Sequence, residues 1–290
     1  MENKMAIIGA TGNLGKPVVR QLVAARFDVT VVARNTEKAA NLFPGVKLAE
    51  ADIRSKDALV AALTGQHFLY LNLNLDPTVA PTAWQAEREG LTNILDAAKT
   101  AGIQKIGFIS SLVMNYQGLN GFNWWVFDLK KQAVEMIRKS SIPSIVFYPS
   151  TFMESFPYIY RQGKRLMLAG KSMCPMWYIA GDDYGRQVAN AFQLVKPGDS
   201  AEFVVQGPEP FTADEAARVF LENYPKEKLS VMKAPLGLLK LIGKLNQKVN
   251  YGANIIEALN NYPEKFEAQP TWDVLGRPTT TLKEFAAACE

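Results

Sequence analysis

Three groups of residues in this chain of 290 have types and spacings that could do chemistry. The first is Gly9-Ala10-Thr11-Gly12-Asn13-Leu14-Gly15, preceded by the apolar pair Ile7-Ile8. Between a strand and a helix, such a turn suits a dinucleotide. Gly9 makes the tight turn, Gly12 lets the backbone approach a pyrophosphate, and Gly15 lets the helix sit close on the strand. Thr11, Asn13 and Leu14 complete the loop, and the helix N-terminus offers free N–H groups to the phosphates. The second is Arg34, 19 residues after Gly15 at the end of another apolar run. A carboxylate there would accept the hydroxyls of an adenosine ribose, whereas a guanidinium attracts a 2′-phosphate. The cofactor expected is therefore NADP(H), with a plain surface arginine as the alternative. Asp52, just past the third strand, suits the adenine amino group.

The third group lies further along. Ser110 and Ser111 close the fifth strand where a nicotinamide would lie, although strand-end serines often only fill backbone hydrogen bonds. Lys131 follows on the next helix, either aimed at that site or paired with Glu135 across one solvated turn. Tyr116, in the loop between them, is a candidate acid or an ordinary packing residue. Further cofactor contacts are expected at Leu73 and Asn74 after the fourth strand and at Tyr148, Pro149, Ser150, Thr151 and Phe152 at the end of the sixth. Tyr148, Phe152, Phe156, Trp177 and Tyr178 could stack as a flat apolar slot for an aromatic substrate, or form the core of a second lobe.

The residues that are scarce exclude other chemistries. His67 is the single histidine and opens a strand at the end of the sheet away from ligands, so histidine-based hydrolysis and His-rich metal sites are not expected. Cys174 and Cys289 are the two cysteines, without a CxxC or a nearby histidine, so no metal site and no disulfide framework is expected. A reducing cytoplasm fits. The apolar run after Met5 stops at Gly9, too short for a signal peptide, and no stretch is long enough to span a membrane. A net charge of +4 without a basic run makes nucleic acid an unexpected partner.

These residues need a scaffold, and the alternation of short β-type runs with helical patterns supplies one. Strands are expected at 5–8, 28–33, 46–50, 67–73, 105–110 and 144–148. Helices are expected at 14–25, 36–42, 56–63, 83–99 and 125–139. This is an α/β fold: a Rossmann-type parallel sheet with helices on both faces. Residues 1–150 would form the nucleotide-binding domain and 151–290 a smaller mixed substrate lobe, with about 182–205 returning to the sheet. Asp182 and Asp183 are expected to cap one later helix, and Thr212-Ala-Asp-Glu215 reads as a capping box opening another. Residues 236–248 place Lys240, Lys244 and Lys248 on one stripe and Leu238, Leu241, Ile242 and Leu245 on the other. That pattern fits a helix packed on the protein better than one lying on a membrane.

With these motifs the chain resembles the NmrA-like branch of the atypical short-chain dehydrogenases/reductases. The resemblance rests on the glycine loop, Arg34, Asp96-Ala-Ala-Lys-Thr-Ala-Gly102, Phe108-Ile-Ser-Ser111, Tyr148-Pro-Ser-Thr-Phe-Met-Glu154, Gly181-Asp-Asp-Tyr-Gly185 and Leu275-Gly-Arg-Pro278. Short-chain dehydrogenases usually carry Tyr-x-x-x-Lys after the fifth strand. This chain has Phe127-Asp-Leu-Lys-Lys131, so the lysine is present and the phenol that would donate a proton is not. The resemblance implies an NADPH-dependent reductase acting on a quinone-like or other conjugated or carbonyl small molecule, with Phe127 in the substrate pocket. The alternative it implies is a non-catalytic sensor of NADP(H) that acts through a protein partner.

Overall fold

The computed structural model describes residues 3–289. Strands β1 (Lys4–Ile8), β2 (Asp28–Ala33), β3 (Lys47–Glu50), β4 (Phe68–Leu71), β5 (Lys105–Ile109) and β6 (Ser144–Pro149) alternate with helices α1 (Gly15–Ala24), α2 (Thr36–Leu42), α3 (Lys56–Leu63), α4 (Leu91–Thr100) and α5 (Trp125–Lys139). The later elements are β7 (Arg161–Gln162), β8 (Arg165–Ala169), β9 (Met176–Trp177), α6 (Gly181–Leu194), β10 (Ala201–Val205), β11 (Pro210–Phe211), α7 (Ala213–Asn223), β12 (Ser230–Ala234), α8 (Leu236–Gly243), α9 (Gln247–Asn261), α10 (Gln269–Leu275) and α11 (Leu282–Ala288). The main sheet has seven strands in the order β10-β6-β5-β4-β1-β2-β3, all parallel.

The chain's side-chain alternation builds both faces of this sheet. Ala6 and Ile8 of β1, with Leu69 and Leu71 of β4, pack among residues of α3, α4 and α5. Their neighbours Met5, Ile7 and Tyr70 pack among residues of α1 and α6 on the other face. A strand covered on both sides carries a continuous apolar run, which is why β1 reads Met-Ala-Ile-Ile. Helix α6 lies close along α1 because Gly181 and Gly185 leave room for it. A Cβ on Gly181 would sit 2.7 Å from Pro17 Cγ, and one on Gly185 would sit 2.9 Å from the Pro17 carbonyl oxygen. Gly107 does the same for the sheet, since its Cβ would strike the Phe192 ring at 2.7 Å.

Beyond β6 the chain makes a second lobe and then re-enters the sheet. Strand β10 pairs with β6 from Ala201↔Ile145 to Val205↔Pro149. The lobe holds a three-stranded sheet, β12-β8-β7, and the two-stranded β11-β9. Its core joins Phe156, Leu166, Met176, Tyr178, Phe220 and Leu282. The expected capping box is present: Thr212 Oγ1 accepts from Glu215 N–H and Glu215 returns a bond to Thr212.

Three expectations need correction. Ala180, not an aspartate, precedes α6. Asp182 instead accepts from Arg20 and Gln21, while buried Asp183 pairs with Arg186 and accepts from the N–H groups of Thr279 and Thr280. The helix expected at 83–99 starts as a wide turn, Ala86–Gly90, because Glu89 folds back to accept from Gln85 N–H. Residues 236–248 are not one helix, since Asn246 accepts from Val249 N–H and so caps the start of α9. Nor do the leucines of that segment all pack. Leu238, Leu241, Ile242 and Leu245 are exposed. No helix among the described residues is long and apolar enough to cross a membrane.

Candidate functional site

The glycine loop leaves β1 at the carboxyl end of the sheet, and each glycine there answers a different demand. Gly9 sits at φ +86°, where a Cβ would lie 1.9 Å from the Asn72 carbonyl oxygen. At Gly15 a Cβ would come within 2.3 Å of the Gly9 carbonyl oxygen. Both are required by the fold itself. Gly12 is different: a Cβ there would meet nothing closer than the Gly9 oxygen at 3.6 Å and Asn74 Nδ2 at 3.8 Å. The protein's own packing therefore does not require a glycine at this position. Helix α1 then begins with no side-chain cap and no acidic residue in its first turn, so no carboxylate of its own opposes an anion at its positive end, although the Lys16 N–H is bonded to the Gly12 carbonyl oxygen at 3.3 Å and Pro17 has none to offer.

From this loop a cleft of about 490 Å³ runs over the ends of β2 and β3. Arg34, Lys38, Asp52, Arg54, Asn74 and Trp84 line it. Arg34 and Lys38 are exposed and make no ion pair among the described residues. Lys38 is brought there by the start of α2, where Asn35 Oδ1 accepts its N–H at 2.8 Å. Arg54 lies over the Trp84 ring, 4.6 Å from its centroid, a cation–π contact. Asp52 turns back to accept from Arg54 N–H at 2.8 Å. Gln85 lines the same cleft with its Nε2 buried and without a partner, a donor that a bound group could satisfy. Cations, an aromatic face and a glycine cradle fit the adenosine and phosphate half of NADP(H). Of these residues, Arg34, Asp52 and Asn74 were expected from the sequence. Lys38, Arg54, Trp84 and Gln85 come together only through topology.

The other expected residues gather at the ends of β5 and β6. Ser110 is buried and its hydroxyl donates to Met114 Sδ at 3.4 Å, while half-buried Ser111 leads into the turn Leu112–Tyr116. Tyr116 lies in that turn rather than on a loose loop. It is buried against Phe122, with ring centroids 4.9 Å apart. Phe127 is 1% exposed and sits between Phe122 and Trp124. The two adjacent lysines of α5 have separate fates. Lys130 reaches inward to the buried carboxylate of Glu87 at 2.9 Å; burial works against its charge, but Glu87 outweighs this and holds its pKa above the usual value. Lys131 is half-buried, and its ammonium makes no hydrogen bond or ion pair among the described residues. Its possible partner Glu135 is taken by Arg138.

At β6 the side chains divide. The Tyr148 hydroxyl donates to Glu202 at 3.0 Å and accepts from Arg138, at the β10 edge of the sheet. Pro149 ends the strand, pairing with Val205. The Ser150 hydroxyl donates to Glu264 at 2.8 Å and the Thr151 hydroxyl lies 3.2 Å from Met176 Sδ. Phe152 packs edge-to-face on Tyr184. Glu264, which no sequence signal marked, also accepts from Gln206 Nε2 at 2.7 Å and Trp177 N–H at 3.3 Å; burial raises its pKa despite these donors. The expected aromatic slot is not built as a unit. Phe156 and Tyr178 are fully buried in the lobe core beside Phe220, whereas Trp177 stands apart against Phe266.

A model of the NmrA-like family matches residues 1–285. The chain belongs to the NmrA-like family. Among curated proteins it is 24% identical to an NAD(P)H azoreductase of Xenophilus azovorans, over 97% of this chain and 96% of that protein. It is also 24% identical to a photosystem II assembly factor of Trieres chinensis, over 88% of this chain and 79% of the relative. Among solved structures, an NADPH-dependent quinone oxidoreductase of Escherichia coli, complexed with NADPH, superposes with a TM-score of 0.71. That likeness covers 98% of both chains at 21% identity and shows a shared fold.

Proposed function

We propose that this NmrA-like protein is an NADPH-dependent reductase of quinone-like or similarly conjugated small molecules. Gly12, the α1 N-terminus, Arg34 and Lys38 would hold the phosphates, with Arg34 and Lys38 favouring the 2′-phosphate over a bare ribose. When bound, NADPH supplies a hydride. Lys131 would hold the nicotinamide ribose hydroxyls, and Ser110 and Ser111 would border the ring. The residues supply no phenol at position 127, and the Tyr116 ring is packed against Phe122. The acceptor must therefore be one whose reduced form takes its proton from water, as a quinone or azo group can. The observation that carries this reading is Lys131, left without a partner on a helix whose neighbouring lysine is bound inward.

The azoreductase and quinone oxidoreductase relatives support the reading. The relative described as an assembly factor supports a second one, in which the same cofactor is bound and no substrate is reduced; the missing phenol favours it. Steady-state NADPH oxidation against quinones, azo dyes and enones decides between them. Lys131→Met should lower kcat/KM on the order of tenfold or more while weakening NADPH binding less, since each tenfold is about 1.4 kcal/mol of transition-state stabilisation. Lys130→Met should instead lower thermal stability by leaving Glu87 buried and unpaired. Arg34→Ala should erase the preference for NADPH over NADH in a fluorescence titration. Tight NADPH binding with no acceptor reduced would overturn the reductase.

A further inference from the structure

Helix α8 has two apolar faces, and the fold uses only one of them. Leu236, Leu239 and Gly243 fall on one side at helical spacing. Gly243 is buried there, so close to α9 that a Cβ would lie 2.9 Å from Asn250 Cα. Leu238, Leu241, Ile242 and Leu245 fall on the opposite side and are 50%, 61%, 44% and 95% exposed. Val231 and Met232 of the preceding strand, β12, are exposed as well. A scattered exposed leucine needs no explanation, but a full helical stripe does.

The charges around this stripe select its partner. From residue 228 to residue 256 the chain has five lysines and no acidic residue, which more than accounts for the net charge of +4 on the whole protein. Lys233 and Lys240 are paired with Asp214 and Glu257 from neighbouring elements. Lys228, Lys244 and Lys248 make no ion pair among the described residues, and the last two flank the most exposed leucine, Leu245. A second copy of this chain is a poor match, because a two-fold contact would bring the same lysines face to face. A helix with lysines beside projecting leucines instead matches an anionic lipid surface, which takes the side chains into its headgroup boundary and the ammonium groups at its phosphates.

We propose that the outer face of α8 and the adjoining turn through Lys248 form a reversible docking site for anionic membranes. Eight helical residues without a lipid anchor give weak attachment, so binding should depend on both lysines and leucines. The test is co-sedimentation of the full chain with vesicles of phosphatidylcholine alone or mixed with phosphatidylglycerol. The protein should sediment with the mixed vesicles at low salt, be released at high salt, and ignore neutral vesicles. Leu241→Ser with Leu245→Ser, and separately Lys244→Gln with Lys248→Gln, should each weaken binding on the order of tenfold while leaving NADPH binding unchanged. Equal sedimentation with neutral vesicles, or none with mixed vesicles at low salt, would overturn the proposal. So would a dimer in solution that the leucine variant dissolves, since the face would then be an interface between copies.

Discussion

At the scale of single residues, the three glycines of the nucleotide loop are not equivalent, although the sequence writes them alike. Gly9→Ala would force a Cβ into the Asn72 carbonyl at a positive φ, so it should destabilise the fold and lower the melting temperature. Gly12→Ala meets only ordinary contacts. It should melt with the wild type while losing NADPH affinity tenfold or more, because the added methyl occupies the pyrophosphate's approach. Calorimetry of both variants, with a fluorescence titration of NADPH, separates the two roles. Unchanged affinity in Gly12→Ala would remove the cofactor from this loop. The neighbouring cations show where reading single residues ends. Arg34 is legible because its place after the second strand is fixed by counting. Lys38, Arg54 and Trp84 belong to three different segments, and only the sheet order brings those segments to one cleft.

At the scale of elements, helix α6 carries the most testable device. Its first N–H, on Gly181, donates to Glu154 Oε1 at 2.8 Å, so a carboxylate from a distant loop does the work of an N-cap. Burial raises the pKa of Glu154 from 4.5 to about 7; Asp182 adds to the rise, and the Gly181 bond and Arg20 oppose it. Between those values the folded chain holds a proton that the unfolded chain has released. The contribution of Glu154 to stability is therefore full at acid pH and is lost as pH rises through about 7. Glu154→Gln keeps the accepting oxygen and removes the titration, so the decline in melting temperature from about pH 5 to pH 8 should be shallower in the variant. Parallel declines would show that Glu154 does not titrate in this range. The elements themselves were largely legible. β2, α2, α3 and α5 run over the bounds that the sequence indicates, and the structure adds the N-caps that start α2 and α3, Asn35 and Ser55. The start of α4 and the break at Asn246 were not legible. In each, a local side-chain bond redirects a backbone whose apolar pattern continues unbroken.

At the scale of the whole molecule, residues 181–205 leave the lobe to supply α6 and β10 to the main sheet. A fragment of residues 1–150 would lack both. It would expose the edge of β6 and the apolar residues that now meet Tyr184, Val188 and Phe192, so it should be recovered as aggregate rather than as a folded NADPH-binding domain. Expression of that fragment beside the full chain, followed by size-exclusion chromatography, checks this; a soluble monomer that binds NADPH would refute it. The same re-entry bears on how such a protein can change over generations. Residues on either side of α6 and β10 share the lobe core, Phe156 and Tyr178 before them and Phe220 and Leu282 after. The lobe is thus no cassette that a single recombination could exchange. Replacing it takes two coordinated segment exchanges, one before and one after a spared α6 and β10, so a descendant acquires a new specificity more readily by point substitution on an inherited frame than by borrowing another protein's lobe.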